Sequence, residues 1–214
     1  MDQAAFFFVN HTWTSPIVDP AMAVASSWAF WWPILLVAGL IVLAAGGFRA
    51  RMMLLAIGLS IGLTDGVVVS TLKKVVGRPR PHEVLVGART LDLAKAHPRL
   101  LALGKPLKER FSTWRPPPER GNSFPSGHTS NTFALAMVVT MFYPRRGWLA
   151  FIPAAIVGYS RVYVGSHWPS DVLISCFLGA GLAWLVVRGM DAAWRKWGGR
   201  RFASLHGRFP SLLG

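Results

Sequence analysis

Five apolar runs, joined by short basic connections and one long polar loop, organise the chain. Residues 24–46 form the first full-length run. Residues 52–72 form the second, with Asp65 its one charged interruption. Each holds about 20 residues, enough for a helix to cross a hydrocarbon core of roughly 30 Å. Residues 129–143, 148–164 and 172–187 are shorter but extend into the polar segments beside them. The pattern predicts an all-α fold: an integral membrane helical bundle of about five transmembrane helices, in a single domain covering residues 1–214.

Residues 1–22 break the pattern. AAFFFV is strongly apolar but ends at Asn10 and His11, and Pro16, Asp19 and Pro20 follow. The stretch lacks the basic start and cleavage site of a signal peptide. It predicts a helix lying in the membrane interface with Trp13 at headgroup depth, the alternative being a half-length helix packed against the bundle. Trp28, Trp31 and Trp32 read as interfacial anchors. The 82–124 segment is the one large non-membrane insertion. It holds a Pro116–Pro118 run that favours extended backbone, and residues 91–107 could form a short amphipathic helix broken at Pro98. A loop of this length is either a functional lid or a passive insertion.

Composition agrees with membrane burial. The chain is 52% apolar and 15% charged, against about 25% charged in soluble proteins. Cys176 stands alone in an apolar run, which excludes a disulfide framework and a cysteine metal site and leaves a small core residue. The net charge of +14 sits at the ends of apolar runs and in the long loop rather than along an amphipathic face. That distribution argues against nucleic acid and for the bilayer and phosphorylated lipids as partners. Arg49 and Arg51, Arg145 and Arg146, and the basic residues after 187 fall on one side when the spans are counted. The positive-inside rule puts that side, with the C-terminus, in the cytoplasm and the opposite ends of the spans outside the inner membrane.

Those opposite ends carry the chemistry. Residues 73–81 read KKVVGRPRP, 125–128 read PSGH, and 160–171 read SRVYVGSHWPSD. Lys73 and Arg80 offer a mobile point charge and a planar fork for phosphate oxygens, although either could be a snorkelling helix end. Ser126 resembles a helix N-cap, and Gly127 lets backbone approach an anion at a helix start. His128 could then exchange a proton there. Arg161, His167 and Asp171 follow, with Asp171 spaced to accept a hydrogen bond from one imidazole nitrogen and free the other as a nucleophile. Each segment alone has a plain structural reading. Together, on one membrane face, they point to phosphate chemistry. Asp65, inside the second run, reads as a structural partner that balances Lys73 or holds a helix contact.

These three segments resemble the signature blocks of the type 2 phosphatidic acid phosphatase superfamily: Lys, six residues, Arg-Pro; then Pro-Ser-Gly-His; then Ser-Arg, five residues, His, three residues, Asp. Lys73 has the required spacing to Arg80, and Lys74 does not. The resemblance covers about residues 2–187, including an opening stretch similar to the entrance helix of bacterial members. It departs in lacking an additional leading span and in its longer loop between the first two blocks. It implies a metal-independent lipid phosphatase with no cofactor. His167 would attack phosphorus to form a phosphohistidine, Asp171 would orient its ring, and His128 would protonate the leaving oxygen and then activate water. Lys73, Arg80, Ser126, Gly127 and Arg161 would hold the phosphate. The layout looks most like bacterial undecaprenyl-diphosphate phosphatases. Phosphatidylglycerophosphate, phosphatidate and lipid A phosphatases are alternatives, as is a lipid phosphotransferase using the same intermediate.

Overall fold

The computed structural model describes residues 1–96 and 99–214. The chain opens with α1 (Asp2–Phe7), which runs on as a π-helical turn (Phe8–Thr12), followed by α2 (Asp19–Ser26) and α3 (Trp28–Ala45). Helix α4 (Phe48–Leu63) passes through a second π turn (Thr64–Val69) into α5 (Ser70–Val76), and a short α6 (Pro81–Val84) follows. The bundle is completed by α7 (Gly127–Phe142), α8 (Phe151–Tyr163), α9 (Pro169–Arg201) and α10 (Ala203–Arg208). Among the described residues, three helical stretches, beginning at Trp28, Phe48 and Pro169, are long and apolar enough to cross a membrane.

The apolar run at 24–46 is not one helix. Ser27 adopts an extended conformation and separates α2 from α3. Helix α3 buries Phe30 alone and leaves Leu36, Val37, Leu40 and Ile41 roughly half exposed or more, as suits a helix apolar all round and bathed in lipid. The core lies instead between α4, α7 and α9, where Ala56, Ala134, Val138, Phe142, Ala183 and Val187 pack together. Small residues bring these helices close: a β-carbon at Gly179 would sit 2.0 Å from the Ser130 carbonyl oxygen, so α9 passes directly over the α7 backbone. Helix α9 runs for 33 residues, about 50 Å at 1.5 Å per residue, well past the expected end at 187. The tail folds back along it. The Leu212 amide donates to Asp191 Oδ1 at 2.8 Å, and Arg49 donates to the Leu213 carbonyl.

The opening stretch packs against the bundle, as the half-length alternative describes. Phe6 is fully buried beside Trp168, Val162 and Val172. The Asn10 side chain donates to the Arg89 and Tyr163 carbonyls at 2.9 and 2.8 Å and accepts from the Arg89 amide at 2.8 Å. Trp13 stays exposed. Cys176 is partly buried against this same cluster.

Two expectations for the long loop need correction. The mostly helical fold also carries a two-stranded hairpin, and the described residues of 91–107 do not form an amphipathic α-helix. Strands β1 (Arg89–Asp92) and β2 (Lys108–Phe111) pair antiparallel, Arg89 opposite Phe111 and Asp92 opposite Lys108. A 3₁₀ turn (Arg99–Gly104) lies between them, and the expected break at Pro98 lies outside the described residues. The strand wins because its alternation buries Arg89 and Leu91. Arg89 finds a buried partner there, donating from Nη1 to Asp19 Oδ1 at 2.9 Å. Burial alone would raise the Asp19 carboxyl. Hydrogen bonds from Arg89 and Tyr163 more than offset it and hold the group below the usual carboxylate range.

Candidate active site

The site forms where α5, α7 and α8 end or begin on one face. After Arg161 the chain turns sharply, and the Ser166 and His167 amides both donate to the Arg161 carbonyl at 3.0 and 3.1 Å. Gly165 makes the turn with φ +75°, and a β-carbon there would lie 2.2 Å from the Arg89 carbonyl oxygen. Only glycine fits this left-handed, crowded position. Pro169 then starts α9, and Asp171 caps it by accepting from the Trp168 amide at 3.2 Å. His167 is held just before that helix, 2% exposed.

Its orientation is set differently from the sequence expectation. His167 Nδ1 lies 2.6 Å from the Ser123 carbonyl oxygen but 3.9 Å from Asp171 Oδ2, too far for a hydrogen bond. A carbonyl oxygen only accepts, so Nδ1 carries the proton and Nε2 keeps its lone pair. Asp171 acts one step removed. Its Oδ2 accepts from the Ser123 hydroxyl at 2.5 Å, fixing the residue whose carbonyl holds the imidazole. Burial comes first in pulling the His167 imidazole down to about 4, helped by Arg161 and Arg80 against the pull of Asp171.

Asp171, with no exposed surface, takes its countercharge from Arg78. Arg78 Nη1 donates to Asp171 Oδ1 at 2.6 Å and to Ser170 Oγ at 2.8 Å, and its Nη2 donates to Asp2 Oδ2 at 2.6 Å. The guanidinium also lies over the Trp168 ring, 5.0 Å from its centroid. Asp2, Arg78 and Ser123 thus form a support chain behind His167 that the sequence reading overlooked. Arg78 lies within the quoted KKVVGRPRP segment, where only Lys73 and Arg80 were singled out. Asp2, a lone carboxylate at the head of an apolar stretch, was the other available signal.

The remaining residues lie at the same end of the bundle. The Ser126 amide donates to Ser175 Oγ at 2.8 Å, and the first α7 hydrogen bond runs from the Ser130 amide to the Ser126 carbonyl. Ser126 occupies the N-cap position, but its side chain does not cap: Oγ accepts from Thr129 Oγ1 at 2.9 Å. Its own hydroxyl proton is left to donate elsewhere. Gly127 faces Asp65 and Lys73, since a β-carbon there would lie 3.0 Å from Asp65 Oδ1 and 4.0 Å from Lys73 Nζ. Asp65 is exposed, on the second π turn, and acts electrostatically on Lys73. Of its two expected roles, the partner of Lys73 is the one this geometry favours.

Helix α5 ends at Gly77. From there the chain pairs with the segment before α7: the Gly121 amide donates to the Gly77 carbonyl at 2.9 Å and the Ser123 amide to the Arg78 carbonyl at 2.8 Å. Arg80 follows, its amide held by Glu83 Oε2 at 2.7 Å. His128, half-buried, lies within electrostatic range of Arg161, His167, Lys73 and Arg80. Arg161 is 9% exposed and donates from Nη1 to Ser26, while its buried Nε has no hydrogen-bond partner. A buried guanidinium donor left open beside a histidine pair suits an anion. All eight residues picked from the sequence therefore converge on one end of the bundle.

The family model described as the PAP2 superfamily matches residues 52–195. The chain belongs to the PAP2 superfamily. Among curated PAP2 relatives, it is 42% identical over 67 residues to the undecaprenyl-diphosphatase of Sulfolobus acidocaldarius, covering 31% of this chain and 32% of that protein. It is 26% identical over 176 residues to the lipid A 4'-phosphatase of Bacteroides thetaiotaomicron, covering 80% and 69%. The match spans about a third of the length of the first such relatives (30%, 32% and 36%). The PAP2 fold extends further. The crystal structure of Aquifex aeolicus LpxE aligns over 86% of this chain and 93% of that one, with TM-score 0.64 and 22% identity. A transmembrane PAP2-type phosphatidylglycerolphosphate phosphatase from Bacillus subtilis aligns over 88% and 83%, with TM-score 0.54 and 22% identity. With its apolar helices, this PAP2 chain is an integral membrane protein.

Proposed function

We propose that this protein is a membrane lipid phosphatase that removes the terminal phosphate of a lipid phosphate or diphosphate through a phosphohistidine on His167. One observation carries the reading: a buried imidazole whose Nδ1–H is committed to the Ser123 carbonyl, beside cations with a donor to spare. In the first step the Nε2 lone pair attacks phosphorus, and the bond from phosphorus to the lipid oxygen breaks. His128, protonated once the anionic phosphate is bound beside it, gives that oxygen its proton and is left neutral. Water then enters, His128 takes its proton, and the new hydroxyl displaces the phosphorus–nitrogen bond to release inorganic phosphate. Lys73, Arg80, Arg161, the Ser126 hydroxyl and the Gly127 amide stabilise the equatorial oxygens as charge moves through the transition state. The cations supply the countercharge that a metal would otherwise provide.

Undecaprenyl diphosphate is the substrate we favour, by likeness to the undecaprenyl-diphosphatases among the relatives. Lipid A is the second reading, favoured by the longer alignment with a lipid A phosphatase. We also read α7 and α8 as spans, which brings the count to five. Arg49, Arg145 and Arg146 gather around one hollow at the α7 C-terminus, about 24 Å from its start at Gly127. The positive-inside rule gives that end to the cytoplasm and the site to the extracytoplasmic face. The test is phosphate release by detergent-purified protein from undecaprenyl diphosphate, lipid A, phosphatidylglycerophosphate and phosphatidate. Release should vanish in His167→Ala, and activity retained by that variant removes His167 as the nucleophile.

A further inference from the structure

Arg161 is a buried cation with no carboxylate in hydrogen-bond reach among the described residues, and the end of α2 stands in for one. Its Nη1 donates to the Ser26 carbonyl at 3.0 Å and to the Ser26 hydroxyl. The carbonyl is free to accept because Ser27 turns extended, at φ −91° and ψ 99°. The Phe30 and Trp31 amides both return to the Ser27 carbonyl, and the Ser27 amide closes on Val24 at 3.0 Å. No helical donor therefore reaches the Ser26 carbonyl. Carbonyls left over at a helix end carry partial negative charge and attract a cation. The break in the first apolar run thus presents an acceptor to the guanidinium.

Helix α2 is anchored at its other end as well. Asp19, its first residue, accepts from the Tyr163 hydroxyl at 2.6 Å and from Arg89 at 2.9 Å. The Ser15 amide donates to the same hydroxyl at 3.1 Å. Asp19 and Ser26 stand about 10 Å apart along the helix axis, and they hold Tyr163 and Arg161, both in the last turn of α8. Two ties on one rigid helix fix where the guanidinium sits. The Ser26 bonds also fix how it faces, because they use Nη1 alone. The opposite edge of the plane, Nε and Nη2, makes no hydrogen bond among the described residues, and Nε is buried. That edge is a fork of two parallel N–H groups, matched to two oxygens of a phosphate.

We propose that Ser26 is a positioning residue for Arg161: it occupies Nη1 and so turns the Nε–Nη2 edge toward two oxygens of the bound phosphate. This rests on the phosphatase reading above and brings a residue from outside the three blocks into the same reaction. It holds for a lipid phosphate and a lipid diphosphate alike, since both present a terminal phosphate. Ser26 also lines the cavity of about 780 Å³ that Arg80 and Arg161 reach, so the test has to separate action through Arg161 from direct contact with substrate.

The test titrates the full chain in detergent, by calorimetry, with inorganic phosphate and with orthovanadate, which adopts the five-coordinate shape of the transition state. The proteins compared are wild type, Ser26→Ala, Ser26→Thr, Arg161→Lys, and Arg161→Lys combined with Ser26→Ala. In Ser26→Ala the vanadate dissociation constant should rise about tenfold, as the loss of one hydrogen bond to a charged group implies. Phosphate should lose less, and in steady-state assays kcat should fall more than KM rises. Ser26→Thr, which keeps the hydroxyl, should match wild type. Arg161→Lys keeps a charge but has no fork, so adding Ser26→Ala to it should change nothing further. Affinity is read per folded molecule, and a merely structural role would lower the thermal midpoint without moving it. A vanadate constant within about twofold of wild type in folded Ser26→Ala overturns the proposal. An equal loss in the Arg161→Lys background also overturns it and makes Ser26 a substrate contact. If the wild type hydrolyses no phosphate ester, the phosphatase reading fails by itself, and the titrations decide the role of Ser26 on binding alone.

Discussion

Replacing Arg78 by alanine should slow turnover without weakening substrate binding. The guanidinium makes three side-chain hydrogen bonds, to Asp171, Ser170 and Asp2, and stacks on Trp168. Its removal leaves the Asp171 carboxylate, 0% exposed, with only the Ser123 hydroxyl and the Trp168 amide. Removing one partner of a buried ion pair costs about 3–5 kcal/mol. The Arg78 side chain is 31% exposed, so water can reach the vacated space and the low end, about 3 kcal/mol, applies. The outer pair with Asp2, its side chains 31% and 28% exposed, adds under about 1 kcal/mol. If the whole inner term reaches the transition state through Ser123 and His167, kcat falls by roughly 100-fold, at about 1.4 kcal/mol per factor of ten. The assay is steady-state phosphate release together with a thermal midpoint, on wild type, Arg78→Ala and Arg78→Lys. Lysine should recover part of kcat, because it restores charge but not the two-armed geometry. A kcat within twofold of wild type in a folded Arg78→Ala protein would refute the support chain. A loss confined to KM would make Arg78 a substrate contact instead.

Two further outcomes follow from the same turn. Gly165→Ala, forced against the Arg89 carbonyl at a left-handed φ, should lower the thermal midpoint and reduce kcat together; a variant matching wild type in both would show that the hairpin does not brace His167. With His167 held near 4, its ring is neutral and nucleophilic above that value and protonated below it. The acid limb of kcat/KM, corrected for ionisation of the substrate phosphate, should therefore fall near pH 4, and a limb centred above pH 6 would contradict the burial argument.

The sequence made the candidate site residues legible because each belongs to a local pattern. Lys73, Arg80, Ser126, Gly127, His128, Arg161, His167 and Asp171 lie at the ends of apolar runs, where periodicity stops and polar residues need a reason. What it could not reveal were contacts between segments. The Asp171–Ser123–His167 arrangement depends on the 121–123 segment pairing with 77–78, and no spacing rule encodes that register. The hairpin was misread as a helix because four-residue strands hold too little periodicity to be told from an amphipathic turn. Their identity rests on Arg89 meeting Asp19, 70 positions earlier. The break at Ser27 was hidden by continuous hydrophobicity on both sides.

The bond between Asp2 and Ser170 joins positions 168 residues apart, and it bears on when the protein becomes active as well as how. Helix α1 leaves the ribosome before α5 and α9, yet its carboxylate has no partner until Arg78 is in place. The imidazole that both support arrives only with the start of α9. A chain still being inserted therefore holds its phosphate-binding cations without a positioned nucleophile. On the proposed mechanism, turnover would begin only when the α1 and α9 segments of the bundle have met, so hydrolysis would itself report that this assembly has formed.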